Sequence, residues 1–462
     1  MAESPDRASA IDIDLARIPL ASGRANGEIL LDFEGDLRDL AAYERTGGYA
    51  QARRVVQSLT GEQIVEAVSR SGLRGRGGAG FPAGRKASFL APTEPRYIVI
   101  NADEPEPGTF KDRELMLRNP HALIEGILIM SWAVHSAKTF IYIRGEYLAE
   151  YEVLRAAIQQ ARERGYVGAP LFGTDYVVEI VLHRGAGAYI CGEETALLSS
   201  LNGFRGQPTA KPPFPAVAGA FQRPTLLNNV ETFATIPYIF RLGAEEYAKI
   251  GTEQSKGTRL LSLSGHVQRP GNYELPFSAT MRDLIEGCGG GMLDGMELKG
   301  FIPGGSSAPI LGPEHLDVGL AIEAIAAAGS MAGSGAVMVI GDGTCMVQLA
   351  LRTAEFYNHE SCGKCTPCRE GTAWVVSTLR RVEQGVAEPG EVDLLLDLCD
   401  NIEGKCLCAL GDACAMPVRS IVKRYREEFD QHVAEGGCPL HETSRLSSLY
   451  PRPRTLLPLV AG

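Results

Sequence analysis

The chain has 462 residues, 45% of them apolar and 22% charged, which is ordinary for a soluble globular protein and long enough for two to four domains. A net charge of −11 argues against a general nucleic-acid binder, which needs a basic surface. Eleven cysteines, an odd number, follow an N-terminus (Met1-Ala-Glu-Ser-Pro-Asp-Arg7) with no apolar signal region, an arrangement expected of thiols in a reducing cytoplasm rather than of disulfides.

Residues 1–45 mix polar and apolar positions with little periodicity and read as an arm that is poorly ordered or wraps a partner. Ala50 to Ser71 reads as a helix broken at Thr60 or Gly61, with Thr60 as N-cap and Gln63 at the capping-box position. Gly72 to Lys86 interleaves glycines with Arg74, Arg76, Arg85 and Lys86. Glycine lets backbone N–H groups approach an anion, and the cations add attraction, so a phosphate-binding loop is favoured over a merely flexible one. It is neither a Walker A loop nor a clean G-x-G-x-x-G.

Arg96 to Asn101 is a β-branched strand that runs into Asn101-Ala-Asp-Glu-Pro-Glu-Pro-Gly-Thr109, and polar residues at the carboxyl end of a strand are the usual ligand position in an open α/β sheet. The greasiest run, Ala122 to Ala137, is interrupted by Glu125 and His135 and is too short to span a bilayer, so Pro120 to Ser136 is expected to be a buried helix. Thr139–Arg144 (strand), Glu146–Arg164 (helix) and Tyr176–His183 (strand) continue a β–α–β alternation, which implies a largely parallel sheet covered by helices. A second glycine-rich turn, from Arg184, leads to a helix opening with Glu193 and Glu194, two acids that suit the helix macrodipole. Asn202 to Pro224 reads as a long loop over a site, and Leu226 to Phe233 as the start of another helix.

From about Gly257 the texture becomes that of a small α+β domain, with strands at Arg259 and Gly335–Ile340, a short helix at Met281–Glu286, and a strand and turn at Phe301. Cys288 and Cys345 have no partner spacing and read as plain buried thiols, as do Cys191 and Cys399. Four helical segments follow, Val347–Tyr357, Thr372–Gln384, Val392–Asn401 and Pro417–Phe429, and imply a small bundle. Between the first two, Cys362, Cys365 and Cys368 form C-x-x-C-x-x-C, whose short arcs let three thiolates converge on one soft metal centre. Cys406, Cys408 and Cys414 are all placed to supply a fourth ligand. An iron–sulfur cluster is favoured over zinc, whose sites show paired C-x-x-C units. The tail after Gly436, with Pro451, Pro453 and Pro458, reads as extended and partner-bound.

Six blocks in this order, Gly75-Arg-Gly-Gly-Ala-Gly-Phe-Pro82, Asn101–Thr109, Gly187-Ala-Tyr-Ile-Cys-Gly-Glu-Glu-Thr-Ala196, Lys211-Pro-Pro-Phe-Pro215, Asn228-Asn-Val-Glu-Thr232 and Glu360–Gly371, resemble the NADH-binding flavoprotein subunit of respiratory complex I. The resemblance covers roughly residues 45 to 432. It implies an α/β FMN-binding domain (46–256), a small ubiquitin-like α+β domain of the soluble-ligand-binding β-grasp type (257–341) and a C-terminal four-helix bundle with one [4Fe–4S] cluster (342–435), between the arm (1–45) and an extended tail (436–462).

Carried over residue by residue, FMN contacts fall on Gly75, Arg76, Gly78, Lys86, Asn101, Asp103, Glu104, Tyr189, Gly192, Glu193, Asn228, Asn229 and Thr232. NADH contacts fall on Phe81, Phe89, Glu106, Glu194, Lys211 and Phe214, and the residues nearest the chemistry are Glu106 and Glu193. The cluster ligands are Cys362, Cys365, Cys368 and, by alignment of Cys408-Ala-Leu-Gly-Asp-Ala413, Cys408. One departure is Ala87, where the family usually has tryptophan.

The reaction so implied is hydride transfer from NADH to the flavin, then single-electron exit through the cluster, with no general base or nucleophile required. Arg76 and Lys86 are expected to face flavin groups, Phe81, Phe89 and Phe214 to stack on adenine, and Glu194 to bond the adenosine ribose and repel the 2′-phosphate of NADPH. The implied partners are a thioredoxin-like [2Fe–2S] subunit and the large iron–sulfur subunit of a peripheral arm. The implied location is cytoplasmic, on the inner face of the cell membrane through those subunits. The same module serves as diaphorase in NAD-linked formate dehydrogenases and NAD-reducing hydrogenases, the first alternative. A zinc-stapled scaffold with no redox role is the second.

Overall fold

The computed structural model describes residues 30–31 and 36–450. Most of the expected arm, and the prolines 451, 453 and 458 of the tail, lie outside the described residues. What is described of the arm is anchored: Leu30, Leu31 and Leu37 are buried, the N–H groups of Leu30 and Leu31 donate to the Glu274 carboxylate, and Leu40–Arg45 forms helix α1. These described leucines thus find a core that their lack of periodicity does not announce.

Helices α2 (Ala50–Ser58) and α3 (Gly61–Arg70) are separated at Thr60, whose side chain and that of Gln63 make the expected reciprocal capping box. After the short α4 (Ala83–Ser88) comes the first sheet, of β1 (Arg96–Ala102), β2 (Ser136–Ile143), β3 (Ile180–Arg184) and β4 (Thr225–Asn229). Its order is β3-β2-β1-β4, all parallel. The helices between are α5 (Lys111–Arg118), α6 (Pro120–Val134), α7 (Leu148–Glu163) and α8 (Glu194–Leu201), with α9 (Val230–Leu242) and α10 (Ala244–Tyr247) after β4. Leu226–Asn229, expected to be helical, is instead strand. Four residues give periodicity no purchase, and the segment is fixed by insertion beside β1, with Asn101 paired to Asn229.

Strand alternation divides the core in two. Ile98, Ile100 and Ile141 join the side covered by α6 and α9. Val99, Phe140 and Tyr142 join a core continuous with the C-terminal helices. Each fully buried aliphatic side chain contributes on the order of 2 kcal/mol. Helix α6 is apolar on nearly every face because it is enclosed on nearly every face.

The second sheet holds β5 (Thr258–Gly265), β6 (Gly271–Pro276), β7 (Leu298–Ile302) and β8 (Ala336–Gly341) in the order β6-β5-β8-β7, with a parallel central pair and antiparallel edges. Helix α11 (Ile322–Ala327) precedes β8, and the helix expected at Met281–Glu286 winds as a π-helical turn over Asp283–Cys288. The C-terminal helices are α12 (Met346–Glu360), α13 (Thr366–Glu383), α14 (Glu391–Ile402), α15 (Leu410–Arg424) and α16 (Arg426–Glu435). Helix α12 packs on α13 and α15, and α14 packs on the same two. The single segment expected over Pro417–Phe429 is broken at Tyr425, which caps α16. Residues 437–450 are not extended: they carry a 3-10 turn at Arg445–Leu449 and fold back on α12, because Ser444 and Ser447 bond Gln348. Among the described residues no helix is long and apolar enough to cross a membrane.

Candidate functional site

Strand β1 has β2 on one side and β4 on the other, so the connections leaving β1 and β4 diverge and open a crevice at the carboxyl ends of the two strands. Asn101 and Asp103 line one lip, Asn228 and Asn229 the other. The glycine-rich loop lies across it. The Arg76 N–H donates to Thr232 Oγ1 at 2.9 Å, and Gly77 sits so close that a Cβ would stand 3.1 Å from that of Asn229. Gly78 holds a φ of +132°, open only to glycine.

The Arg76 guanidinium does not face the crevice as expected. It is buried, donates to the carbonyls of Lys256 and Thr258 at 2.9 and 2.8 Å and to the Tyr247 hydroxyl at 3.2 Å, and rests over the Phe277 ring. The donors of a buried guanidinium need acceptors: Nη1 finds the Arg74 carbonyl at 3.2 Å, Nη2 the three groups above, and Nε lies 3.9 Å from the Glu231 carboxylate; only the backbone of Arg76 is left for a ligand. Beneath the crevice, Lys111 pairs with Asp112 and Glu231 at 2.9 and 2.7 Å, and Asp112 in turn accepts from Asn229 Nδ2 at 2.5 Å. These supporting charges were not legible as a site.

The acids of the 101–109 segment separate into different roles. Asp103 is buried, its Oδ2 without a hydrogen-bond partner. Burial pushes its carboxyl up to about 8, although Arg144 pulls the other way. Glu104 is turned to structure: its carboxylate accepts from the N–H groups of Asp112 and Arg113 at 2.8 and 3.0 Å, capping α5, and from the Tyr147 hydroxyl. Glu106 accepts from the Tyr189 hydroxyl at 2.7 Å and the Ser307 N–H at 2.8 Å, with Tyr357 at 3.3 Å, so it joins all three sections of the chain. Tyr357 and Ser307 carried no sequence signal; Tyr357 reads as one more apolar position of α12.

Gly192 closes the crevice from the other loop, its carbonyl accepting from Asn101 Nδ2 at 2.9 Å. Glu193 caps α8 through the N–H groups of Thr195 and Ala196, both at 2.9 Å. Glu194 is held between two lysines, Lys86 at 3.0 Å and Lys211. Burial alone would raise its carboxyl, but the two ammonium groups outweigh burial and hold it below the usual range. Phe81 and Phe89 lie 6.2 Å apart between ring centres, and the bond from the Ala91 N–H to the Ala216 carbonyl brings the Phe214 loop alongside. All three rings are about half exposed. Ala87 is buried beside a cavity of ≈ 900 Å³ that Trp132 also lines.

The cysteine triplet docks on the same loops. The Cys362 carbonyl accepts from Gln207 Nε2 at 3.0 Å, Lys364 donates to the Pro208 carbonyl at 2.6 Å, and the Tyr189 N–H donates to Glu360 at 3.0 Å. Both Cys406 and Cys408 come close enough to the triplet to be raised by it, after burial, to about 12 and about 11. They differ in their partners. The Cys406 thiol donates to the Ile402 carbonyl at 3.5 Å. Cys408 lies just before the N-terminus of α15, where the Leu410 N–H pulls its thiol down against burial, the setting that favours a thiolate. Cys414 is buried. The donor set suits an iron–sulfur cluster. The partnerless Asp103 Oδ2, set among loops with close backbone approach, suits a hydroxyl-rich flavin nucleotide.

Comparison with known proteins agrees with this geometry. Residues 68–238 match the Nuo51 FMN-binding domain, 261–311 the SLBB domain, and 348–432 the NADH-ubiquinone oxidoreductase-F iron-sulfur binding region. The chain is 50% identical over 404 residues to the second F subunit of NADH-quinone oxidoreductase in Rhizobium meliloti (strain 1021), covering 87% of this chain and 96% of that one. It is 42% identical to the F subunit of the Escherichia coli (strain K12) NADH-quinone oxidoreductase over 89% of this chain and 93% of the other. Its fold is similar to that of a chain of the NAD+-reducing [NiFe]-hydrogenase in the air-oxidized state, with a TM-score of 0.76 and 33% identity over 87% of this chain and 67% of that one. The chain belongs to the family of F subunits of NADH-quinone oxidoreductases.

Proposed function

We propose that this chain is the NADH dehydrogenase subunit of a respiratory complex, passing reducing equivalents from NADH by way of FMN and one [4Fe–4S] cluster to partner subunits. The observation that carries this is the docking of the cysteine triplet onto the crevice loops through Tyr189, Glu360, Gln207 and Lys364. Bound FMN supplies hydride acceptance from NADH, and a bound cluster supplies single-electron exit.

The residues of the chain orient and shield. The Gly75–Gly78 backbone, Lys86, Asn101, Asp103, Tyr189, Gly192, Asn228, Asn229 and Thr232 would hold FMN, with Arg76 contributing its backbone. Phe81, Phe89 and Phe214 would stack on adenine, and Glu106, Glu194 and Lys211 would meet polar groups of NADH. Glu104 and Glu193 act as helix caps that position the crevice loops. Cys362, Cys365, Cys368 and Cys408 would hold the cluster. The strand order of the second sheet supports a β-grasp, ubiquitin-like reading of 257–341, and the closed ring of α12–α15 supports a four-helix bundle within 342–435.

The purified chain should show flavin and iron–sulfur absorption and NADH-driven reduction of an artificial acceptor; a colourless, inactive chain would overturn the reading. The expected partners are a thioredoxin-like [2Fe–2S] subunit and the large iron–sulfur subunit, with membrane association only through them. The hydrogenase likeness favours one rival, the diaphorase subunit of an NAD-reducing hydrogenase or NAD-dependent formate dehydrogenase, which co-purification of a nickel or molybdenum subunit would reveal.

A further inference from the structure

We propose that Cys345, Glu383, His432 and Cys438 form a second metal site, a structural zinc centre that fastens residues 437–450 to the C-terminal helices. All four residues are buried, and one ligand atom of each lies within 4.8 Å of every other. Cys345 Sγ is 3.3 Å from His432 Nε2, and Glu383 Oε2 is 3.6 Å from the same nitrogen. The edges of a tetrahedron built on Zn–N, Zn–O and Zn–S bonds are about 3.3 to 3.8 Å. The sequence hides the set, because its members are spread from the start of α12 to beyond α16.

The surroundings orient each donor inward. His432 Nδ1 lies 2.6 Å from the Glu428 carbonyl, which accepts and never donates, so Nδ1 carries a proton and Nε2 faces the other three ligands, where a metal would take the place of its hydrogen. Glu383 Oε1 accepts from Gln348 Nε2 at 2.9 Å, while Oε2 is buried with no hydrogen-bond partner. The Gln348 N–H donates to Cys345 Sγ at 3.4 Å, and its Nε2 lies 3.7 Å from Cys438 Sγ, donations that support thiolates. Gly385 makes the geometry attainable: a Cβ there would stand 1.9 Å from the Gly436 carbonyl carbon, so the ends of α13 and α16 touch through bare backbone. Two sulfurs, an imidazole and a carboxylate, all buried, call for a borderline divalent cation, and zinc takes this donor set.

The site is separate from the triplet. Cys345 precedes α12 and Cys362 follows it, and 15 helical residues span about 22 Å. A cavity of ≈ 810 Å³, bordered by Glu383 and Cys438, gives access from solvent.

Zinc and iron are to be counted in the full-length chain purified with its cluster, with zinc-edge X-ray absorption on the same sample. The expected result is about one zinc per chain with a sulfur shell near ~2.3 Å. Cys345→Ser combined with Cys438→Ser should remove the zinc and spare the iron, and Cys365→Ser should remove iron and spare the zinc. A wild-type chain without zinc would overturn the proposal, and so would zinc that leaves with Cys365→Ser but survives the double substitution. A Cys345–Cys438 disulfide found by peptide mapping without reduction would overturn it as well.

Discussion

The Tyr189 N–H donates to the Glu360 carboxylate at 3.0 Å, so the loop that closes the crevice and the loop that opens the cysteine triplet are one hydrogen bond apart. A bond to a charged acceptor of this kind is worth about 1.5–3 kcal/mol. Glu360→Ala should therefore loosen the docking without removing a cofactor ligand. Flavin and iron content should stay at wild-type values. In stopped-flow absorbance, flavin bleaching by NADH should keep its rate while cluster bleaching lags behind it. Equal slowing of both phases would show that Glu360 acts on NADH binding instead.

Glu194 is gripped by Lys86 and Lys211, which changes what its removal should do. Glu194→Gln removes the acid that repels a 2′-phosphate and leaves two ammonium groups to attract one. The NADPH-to-NADH ratio of kcat/KM should rise on the order of tenfold, the equivalent of about 1.4 kcal/mol. An unchanged ratio would place Glu194 outside the specificity pocket.

How legible this chain was depends on how local each signal is. The Thr60–Gln63 capping box and the buried α6 are written in consecutive residues and could be read directly. Strand β4 could not, because Leu226–Asn229 is a strand only by virtue of lying next to β1. The crevice residues were found as motifs, but a motif does not say which way a side chain turns. Arg76 and Glu104 answer buried partners, in Tyr247 and β5 for one and the start of α5 for the other. Cys345 is the extreme case, with metal-competent neighbours at positions 383, 432 and 438 that no spacing rule connects.

Asp103 sets a pH dependence. Its folded-state carboxyl is raised by burial from 3.8 to about 8, so between these values the folded chain binds more protons than the unfolded one. The contribution of Asp103 to the stability of the flavin-free protein should then fall as pH rises from about 4 to about 8, and level off above, by up to a few kcal/mol. Asp103→Asn keeps the shape and removes the ionisation. Its Tm should fall less steeply than that of the wild type across this window, measured calorimetrically on both flavin-free proteins. Parallel Tm–pH curves would show that Asp103 is not the group responsible. The same variant should bind FMN more weakly, since a carboxyl group can release its proton to accept from the ligand with both oxygens and an amide cannot.

Phe214 stands on the loop held beside Phe89 by the Ala91–Ala216 hydrogen bond and is 56% exposed, so its removal leaves little packing to lose. Aromatic stacking is worth about 0.5–1.5 kcal/mol. Phe214→Ala should raise the KM for NADH by about two- to tenfold, with kcat and Tm unchanged, because stacking on adenine is felt equally before and during hydride transfer. A fall in kcat would mean that the ring also orients the nicotinamide end.

Cys406 and Cys408 supply the sharpest choice within the site. Both thiols stand near the triplet, but the Cys406 thiol donates to the Ile402 carbonyl while Cys408 lies at the head of α15, where the Leu410 N–H pulls its thiol down against burial. Only the second position offers a backbone N–H that steadies a thiolate once metal displaces the proton. Cys408→Ala should abolish the cluster signal in electron paramagnetic resonance of the NADH-reduced protein and lower its iron content, with FMN retained. Cys406→Ala should leave the signal in place. The reverse pair of results would assign the fourth ligand to Cys406, and Cys408, which lies on the Glu193 side of the cluster, would then be a neighbour of the electron path rather than part of it.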